Sequence, residues 1–332
     1  METNGIDYGI LPVGKTKRDL SLARQWILAI GGPKVGKTTT ASKAPGVLFL
    51  KTEEGQGELE LAGLDIVDKI ERTPTGPGKY KEKFIGRSGW ETIKTAVHDL
   101  EHRQHEYNTV CIDTGEGAFD RCRKYHCVMN GVEYENDGVF SYGKGVNLIE
   151  RDFAETLQWL RRLPIGVIII SHTVEREFND DFGKSYTKIV TALPPRAMKV
   201  VNGMVDMILY FTIDGKGNRV IKTQPTAYYD AGSRISGLPE TVPMDYAEFA
   251  QAYYRATGTG PDGKTQLLER IRKGENMLAL AKIDSFDVER RRGNARTKHA
   301  GNEDLNECEV GQLEKYLRYL TEKYTNGGKK NE

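Results

Sequence analysis

The sequence has little cysteine: Cys111, Cys122, Cys127 and Cys308 are the only four in 332 residues. They are too few and too scattered for a disulfide framework. Cys122, His126 and Cys127 lie close together, but no second ligand pair of matching spacing completes a zinc site. Net charge is also nearly absent. Forty-eight Lys and Arg against 47 Asp and Glu leave +1, so bulk charge predicts no partner. Any nucleic-acid binding must come from local patches. Three stand out: Lys79, Lys81, Lys83 and Arg87; Arg121, Arg123 and Lys124; and the densest, Arg290, Arg291, Arg292, Arg296 and Lys298. No apolar run approaches a membrane-crossing length, so no membrane partner is expected. The opening METNGIDYGILPVGKTKRD lacks the charged-then-apolar layout of a signal peptide, and a cytoplasmic location is expected. No internal repeat is present. With 38% hydrophobic and 29% charged residues the chain reads as a soluble globular protein.

What is present begins with 25-QWILAIGGPKVGKTTTASKA-44. It reads as a short apolar strand, a glycine-rich turn and the start of a helix. Gly31, Gly36, Lys37 and Thr38 complete G-x4-G-K-[ST], the phosphate-binding loop. Glycines let backbone wrap phosphates, and amides at a helix start point positive partial charge at them. Gly31, Gly32, Pro33, Lys34, Val35, Gly36, Lys37, Thr38 and Thr39 are therefore the candidate nucleotide-binding set. Lys37 is assigned to the β- and γ-phosphates and Thr38 to Mg²⁺. Gly9–Thr16 also fits the expression, but no apolar strand precedes it, so it is read as a decoy loop.

Along the chain, 1–24 is a polar entry segment and 47-VLFLKTEEGQGELE-60 an apolar strand with an acidic end. Residues 73–89, rich in glycine, proline and lysine, predict a loop. Trp90, Ile93, Val97 and Leu100 recur at helix spacing over 90–104. NTVCID, 108–113, is a strand ending in an aspartate. The stretch 117–143 is mixed and loop-rich, with a hairpin or irregular excursion at NGVEYENDG. Ile149, Phe153, Leu157 and Leu160 predict a helix at 146–163. GVIIIS, 166–171, has the composition of a strand buried on both faces. A long polar insertion, 173–196, follows. Two strands, 204–211 and 218–223, flank a turn at Asp214–Asn218, and Asp245 with Glu248 suits a capping box for a helix at 245–256. From 257 the composition shifts to a linker-like break, two further helices and a polar tail. The expected domains are 1–24, a core of 25–256 and a helical extension of 257–332. Alternation of strands and helices opening on a phosphate loop predicts an α/β fold with a mostly parallel central sheet flanked by helices, plus a small helical C-terminal appendage.

A P-loop NTPase also needs a metal-holding acid and a group that orients water. Asp113, at the end of an apolar strand, is the candidate for Mg²⁺. Glu53 is the candidate for polarising the attacking water, with Glu54 as alternative. Neighbouring parallel strands bring their carboxyl ends to one edge, where ligands bind. Ser171 and His172 end the next core strand, and His172 is positioned to sense a γ-phosphate and relay it into the following loop.

This order (P-loop, FLKTEEG, VCIDT, IIISHT, long loop, strands) resembles the RecA-type recombinase core. It resembles more closely the phage-encoded RecA-like ATPases of the AAA_24 type, over roughly 22–256 and including 220-VIKTQPTAYYDAGSRISGLPETVPMDYAEFAQAY-253. The resemblance implies an ATP-dependent, DNA-binding protein of phage recombination or single-strand annealing that assembles side by side. It maps the catalytic glutamate to Glu53, the Walker B aspartate to Asp113 and the polar residue ending the fourth core strand to His172. In such proteins two loops carry single-stranded DNA, here 128–145 and 174–196. The second holds Arg176, Phe178, Lys184, Tyr186, Lys188 and Arg196, cations beside aromatics that can stack bases. Asp180 and Asp181 count against it. Arg234 is the candidate finger on a neighbouring subunit's ATP. Ring and filament both remain compatible, since no N-terminal oligomerisation helix of the RecA kind is evident. Two other functions share the loop: a small-molecule kinase, and a scaffold whose ATP binding only switches assembly. In the latter the C-terminal helices recruit a partner such as a single-strand-binding protein.

Overall fold

The computed structural model describes residues 20–53, 59–77 and 79–257, and beyond them 271, 295–298, 300, 304, 305, 308, 312, 313 and 315–320. The second G-x4-G-K-[ST] match at Gly9–Thr16, Glu54 and Arg290–Arg292 lie outside the described residues. The chain divides into two compact units, 1–258 and 259–332.

In the first unit the described strands are β1 (Trp26–Gly31), β2 (Val47–Lys51), β3 (Gly63–Asp65), β4 (Ile70–Gly76), β5 (Lys79–Phe84), β6 (Thr109–Asp113), β7 (Gly166–Ser171), β8 (Thr173–Asn179), β9 (Ser185–Thr191), β10 (Met207–Ile213), β11 (Arg219–Lys222), β12 (Gly232–Ser233) and β13 (Thr241–Pro243). The helices are α1 (Lys37–Ala41), α2 (Gly89–His102), α3 (Gly115–Met129), α4 (Lys144–Arg162), α5 (Pro195–Met204) and α6 (Tyr246–Thr257). The main sheet runs β13-β11-β10-β1-β7-β6-β2-β3, with β12 also pairing β10. From β10 to β3 every pairing is parallel; β11, β12 and β13 add an antiparallel edge. The expected α/β architecture, a mostly parallel sheet flanked by helices, is the one observed.

The uninterrupted apolar strands follow from burial on both faces. Trp26, Leu28 and Ile30 of β1 enter one core with α2, α3, α4 and α5 residues such as Trp90, Ile93, Phe119, Ile149, Phe153, Leu157 and Val201. Ile27 and Ala29, on the other side of the pleat, enter a second core with Ala41 of α1 and Phe249 and Tyr253 of α6. Alternation along a strand sends successive side chains to opposite faces, so a sheet covered by helices on both sides shows no polar interval.

Helix starts are chemically specified. Ser88 caps α2, its hydroxyl accepting from the Glu91 N–H while the Glu91 carboxylate accepts from the Ser88 N–H. Pro195 opens α5 where a missing N–H costs nothing. Asp245 Oδ1 accepts from the Ala247 and Glu248 amides at the start of α6.

Three stretches depart from the sequence expectation. Residues 73–89 are not simply a loop: β4 and β5 pair antiparallel from Ile70–Phe84 to Gly76–Lys79. The hairpin is fixed by Phe84 stacking on Tyr125 and by Lys124 bonding Glu82. Residues 115–129 are helix, because Phe119, Cys122, His126 and Cys127 place one apolar face inward among many polar residues. The segment after it is the irregular excursion, not the hairpin, of the two forms expected, and it ends in a short 3-10 turn at Gly138–Phe140. The insertion 173–196 is a second antiparallel hairpin, β8 and β9, followed by α5.

In the second unit, described residues are helical at 295–298 and 315–320, and Ile271, Ala300, Leu305, Cys308, Leu313, Tyr316 and Leu320 form its buried cluster.

Candidate active site

Register brings the site together. Ile30 pairs Ser171, Ile170 pairs Asp113, and Asp113 pairs Lys51 across adjacent parallel strands. The phosphate loop, Glu53, Asp113 and His172 therefore emerge at one carboxyl edge of the sheet. They line a shared cleft of about 300 Å³ with Pro33, Lys34, Gly36, Thr38, Thr39, Leu59, Ile170 and Arg219.

The loop itself is shaped by backbone. Gly36 has φ +121°, a conformation L side chains rarely adopt, and Lys34 has φ 59°. Gly31 has no room for a side chain, since a Cβ there would stand 2.6 Å from the Phe211 carbonyl oxygen. Lys37 is buried, and its Nζ donates to the Gly31 and Gly32 carbonyls at 2.6 and 2.7 Å. Burial lowers its pKa, opposed by the charges of Asp113, Glu116 and Glu53.

Thr38 Oγ1 donates to Asp113 Oδ2 at 2.9 Å, joining the loop to the end of β6. Burial raises the Asp113 pKa against the Thr38 hydrogen bond, and the nearby Glu53 charge adds to the rise. A hydroxyl and a carboxylate side by side are hard oxygen donors, the set Mg²⁺ takes beside phosphate. The residues present thus fit Mg²⁺ at Thr38 and Asp113, and a polyphosphate at the loop.

Glu53 is held by residues that follow two neighbouring strands, Thr114 after β6 and His172 after β7. Thr114 Oγ1 donates to Oε1 at 2.8 Å, and His172 Nε2 is 3.4 Å from Oε2. Glu116 escaped the sequence reading. Its Oε1 accepts from Ser171 Oγ at 2.7 Å and from the His172 N–H at 2.8 Å. Its Oε2 is buried with no hydrogen-bond partner among the described residues. Ser171 Oγ also meets Thr191 Oγ1 of β9 at 2.6 Å. The available signal was an acid three residues beyond the strand-end aspartate, in the first turn of a helix.

The family comparison agrees with this geometry: the AAA_24 family, described as an AAA domain, matches residues 23–235, more than half of the chain. The chain belongs to the AAA_24 family. No curated protein matches it significantly. Among solved structures, a crystal structure of the RadB recombinase is similar at 12% identity, covering 59% of this chain and 79% of that one, with a TM-score of 0.31. This AAA domain is a P-loop ATPase domain, and no described helix is long and apolar enough to cross a membrane.

Other predicted residues of the AAA domain fall outside the cleft. Arg234 lies at the opposite edge, its N–H donating to the Asp206 carbonyl and its Nη1 3.9 Å from the Asp206 carboxylate. Asp206 precedes β10 and accepts from the Trp26 amide at the start of β1. Arg176, Phe178, Lys184, Tyr186 and Lys188 all fall on the β8–β9 hairpin. Register pairs Arg176 with Lys188 and Phe178 with Tyr186, so these four share one face, and Lys184 lies in the turn just before β9. Glu175, Glu177 and Thr187 take the other face. Lys188 is bound to Asp230 at 2.6 Å. Arg196 is not on the hairpin: it lies in α5, with Nη1 3.3 Å from Glu150. Arg121, Arg123 and Lys124 do not form a free basic patch, because Asp68, Asp120 and Glu82 pair with them.

Cys122, His126 and Asp152 bring ligand-type atoms within 4.8 Å of one another. Asp152 already accepts from Trp90 Nε1 and Lys94 Nζ and bonds His126 Nε2. The Lys94 ammonium occupies the electrostatic place a metal cation would take, and the group acts as a clasp between helices.

Proposed function

We propose that the protein binds and hydrolyses ATP in this cleft and couples that cycle to single-stranded DNA on the β8–β9 hairpin, as a recombination or annealing protein of the phage RecA-like type. Lys37 exchanges its loop carbonyls for the β- and γ-phosphates. Thr38 and Asp113 hold Mg²⁺, which when bound offsets charge on the phosphate oxygens. Glu53, oriented by Thr114 and His172, positions and polarises the attacking water. His172 is the single residue between β7 and β8, so a shift of its ring on meeting the γ-phosphate is passed into the hairpin.

The observation that carries this reading is the segregation of the hairpin. Arg176, Phe178 and Tyr186 lie on one face and Glu175 and Glu177 on the other, with Asp180 and Lys184 opposite each other in the turn that joins the strands. Phe178 and Tyr186 rings stack at 5.9 Å, and Phe182 at the tip is almost fully exposed. Cations along a backbone path beside aromatic planes are what an unpaired strand requires. Asp180 Oδ1 accepts from the Phe182 and Lys184 amides and so shapes the turn, while its charge and that of Asp181 still count against phosphate at the tip. Assembly into a ring or filament remains part of the proposal, with Arg234, half exposed and outside its own cleft, offered to a neighbouring copy. So does recruitment of a single-strand-binding protein by 257–332.

Steady-state ATP hydrolysis with and without single-stranded DNA, with Lys37→Ala as blank, tests it. Hydrolysis stimulated by single strands and absent in the blank is the expected result. Hydrolysis indifferent to DNA overturns the coupling, and no hydrolysis above the blank overturns the ATPase reading itself.

A further inference from the structure

We propose that Arg219 is a nucleotide-binding residue, supplied by the antiparallel edge of the sheet, that holds the part of a nucleoside di- or triphosphate that hydrolysis leaves unchanged. This rests on the reading that the cleft binds ATP. No phosphate-loop pattern contains this residue, and it lies far along the chain from the loop.

Arg219 opens β11 opposite Ile213, the last residue of β10. Because β10 runs parallel to β1, with Phe211 beside Gly31, this end of the hairpin stands at the same carboxyl edge as the phosphate loop. Its side chain lines the cleft with Gly36, Lys37 and Thr39. A Cβ placed on Gly36 would lie 3.7 Å from Arg219 Nη1. The guanidinium thus reaches over the glycine that precedes Lys37.

Its backbone is fixed from both sides. Asp214 Oδ1 accepts from the Lys216 and Asn218 amides, which sets the turn, and the Met244 N–H donates to the Arg219 carbonyl. That turn also occupies the hairpin's own carboxylate. Among the described residues no carboxylate forms an ion pair with Arg219, so an exposed cation is left facing the site where polyphosphate charge is expected.

The sheet order says which end of the nucleotide it meets. Counting from β1, the acids and His172 lie on the side of β7, β6 and β2, whereas Arg219 lies on the side of β10 and β11. The hydrolytic groups and Arg219 therefore flank the loop from opposite sides. The γ-phosphate belongs with Glu53, Asp113 and His172. Arg219 is left with the α-phosphate end, common to ATP and ADP. It acts as a binding residue and takes no part in the transition state.

The test is equilibrium binding of ADP and ATP to the full chain, with steady-state kinetics, for wild type, Arg219→Ala and Arg219→Lys. Arg219→Ala is expected to weaken ADP and ATP alike by about tenfold, the size of one exposed charge-assisted hydrogen bond, with kcat within about twofold. Arg219→Lys should fall between. Thermal melting without nucleotide, unchanged for this exposed position, separates lost binding from lost folding. Unaltered ADP affinity overturns the proposal, and so does a fall in kcat with ADP affinity kept, which would put Arg219 on the γ-phosphate. If wild type itself fails to bind ATP more tightly than Lys37→Ala, it is the ATP reading that fails.

Discussion

His172 and Glu53 meet across the carboxyl edge of the sheet, with Nε2 3.4 Å from Oε2. Thr114 Oγ1 fixes the other carboxylate oxygen at 2.8 Å. A glutamate held at both carboxylate oxygens has few ways to turn, which is what aiming a water at one phosphorus demands. Glu53→Gln keeps the shape and removes the basicity. It is expected to lower kcat by about 10²–10⁴ while ATP affinity stays within about twofold. Steady-state kinetics beside equilibrium ATP binding measures both. A kcat within tenfold of wild type would remove Glu53 from the chemistry and turn attention to Glu54.

Asp113 carries a stability signature of its own. Burial raises its pKa despite the Thr38 hydroxyl. The folded protein therefore keeps a proton there over a pH range in which the unfolded chain has lost it. Stability from this group is fully present below the ordinary carboxylate pKa and falls as pH rises through the raised value. Asp113→Asn removes the charge and so the penalty. The variant is expected to melt a few degrees higher than wild type near neutrality, the gap closing toward pH 4. Its hydrolysis should drop to the Lys37→Ala level. Thermal melts across pH, beside ATPase assays, check both; a variant less stable at neutral pH contradicts the argument.

The phosphate loop was legible because its chemistry is local: Gly36 takes a φ few residues tolerate, and an apolar strand must precede it. The placing of Asp113 and Glu53 at one edge was legible because both follow apolar runs, Asp113 ending β6 and Glu53 two residues beyond β2. Glu116 was not, since its partners Ser171 and His172 are more than fifty residues away. Arg219 was hidden for the same reason; only the sheet order brings β11 beside β10 and β10 beside β1. The helix 115–129 is hidden in the sequence because its apolar positions are spaced among Arg121, Arg123 and Lys124, of which Arg121 and Lys124 find their acids, Asp68 and Glu82, far along the chain. The 173–191 hairpin is not legible as strands because one face mixes Arg176 and Lys188 with Phe178 and Tyr186, and the other mixes Glu175 and Glu177 with threonines. Such alternation has no apolar face to announce a strand.

That alternation makes the hairpin testable face by face. Arg176→Ala and Lys184→Ala should each weaken single-stranded DNA binding and reduce the log–log salt slope by about 0.7 per charge removed. Phe178→Ala or Tyr186→Ala should cost about 1–3 kcal/mol with the salt slope unchanged. Thr187→Ala, on the opposite face, should do neither. Fluorescence anisotropy over a salt series distinguishes these outcomes. Equal losses on both faces would mean that the hairpin is needed as a fold element only, and an unchanged slope in Arg176→Ala would show that it meets no phosphate.

Asp152 offers a test far from the nucleotide. It lies in α4 and accepts from Trp90 Nε1 of α2 at 2.7 Å, while His126 Nε2 of α3 is 2.8 Å away. Lys94 Nζ adds weaker contacts at 3.3 and 3.4 Å. Burial alone would raise the Asp152 pKa, but the hydrogen bonds from His126 and Trp90 and the Lys94 charge outweigh it and bring the value down to about 2. A depressed carboxylate stabilises the fold above its ordinary pKa, and that stability is lost as pH falls from about 4 toward 2. Asp152→Asn keeps the size but cannot hold the charge. It is expected to cost about 2 kcal/mol at pH 7, the free-energy equivalent of that shift. Urea unfolding of both proteins at pH 7 and pH 3 measures it, and the difference should shrink at the lower pH. A difference independent of pH would assign the loss to packing of the three helices rather than to the carboxylate's charge.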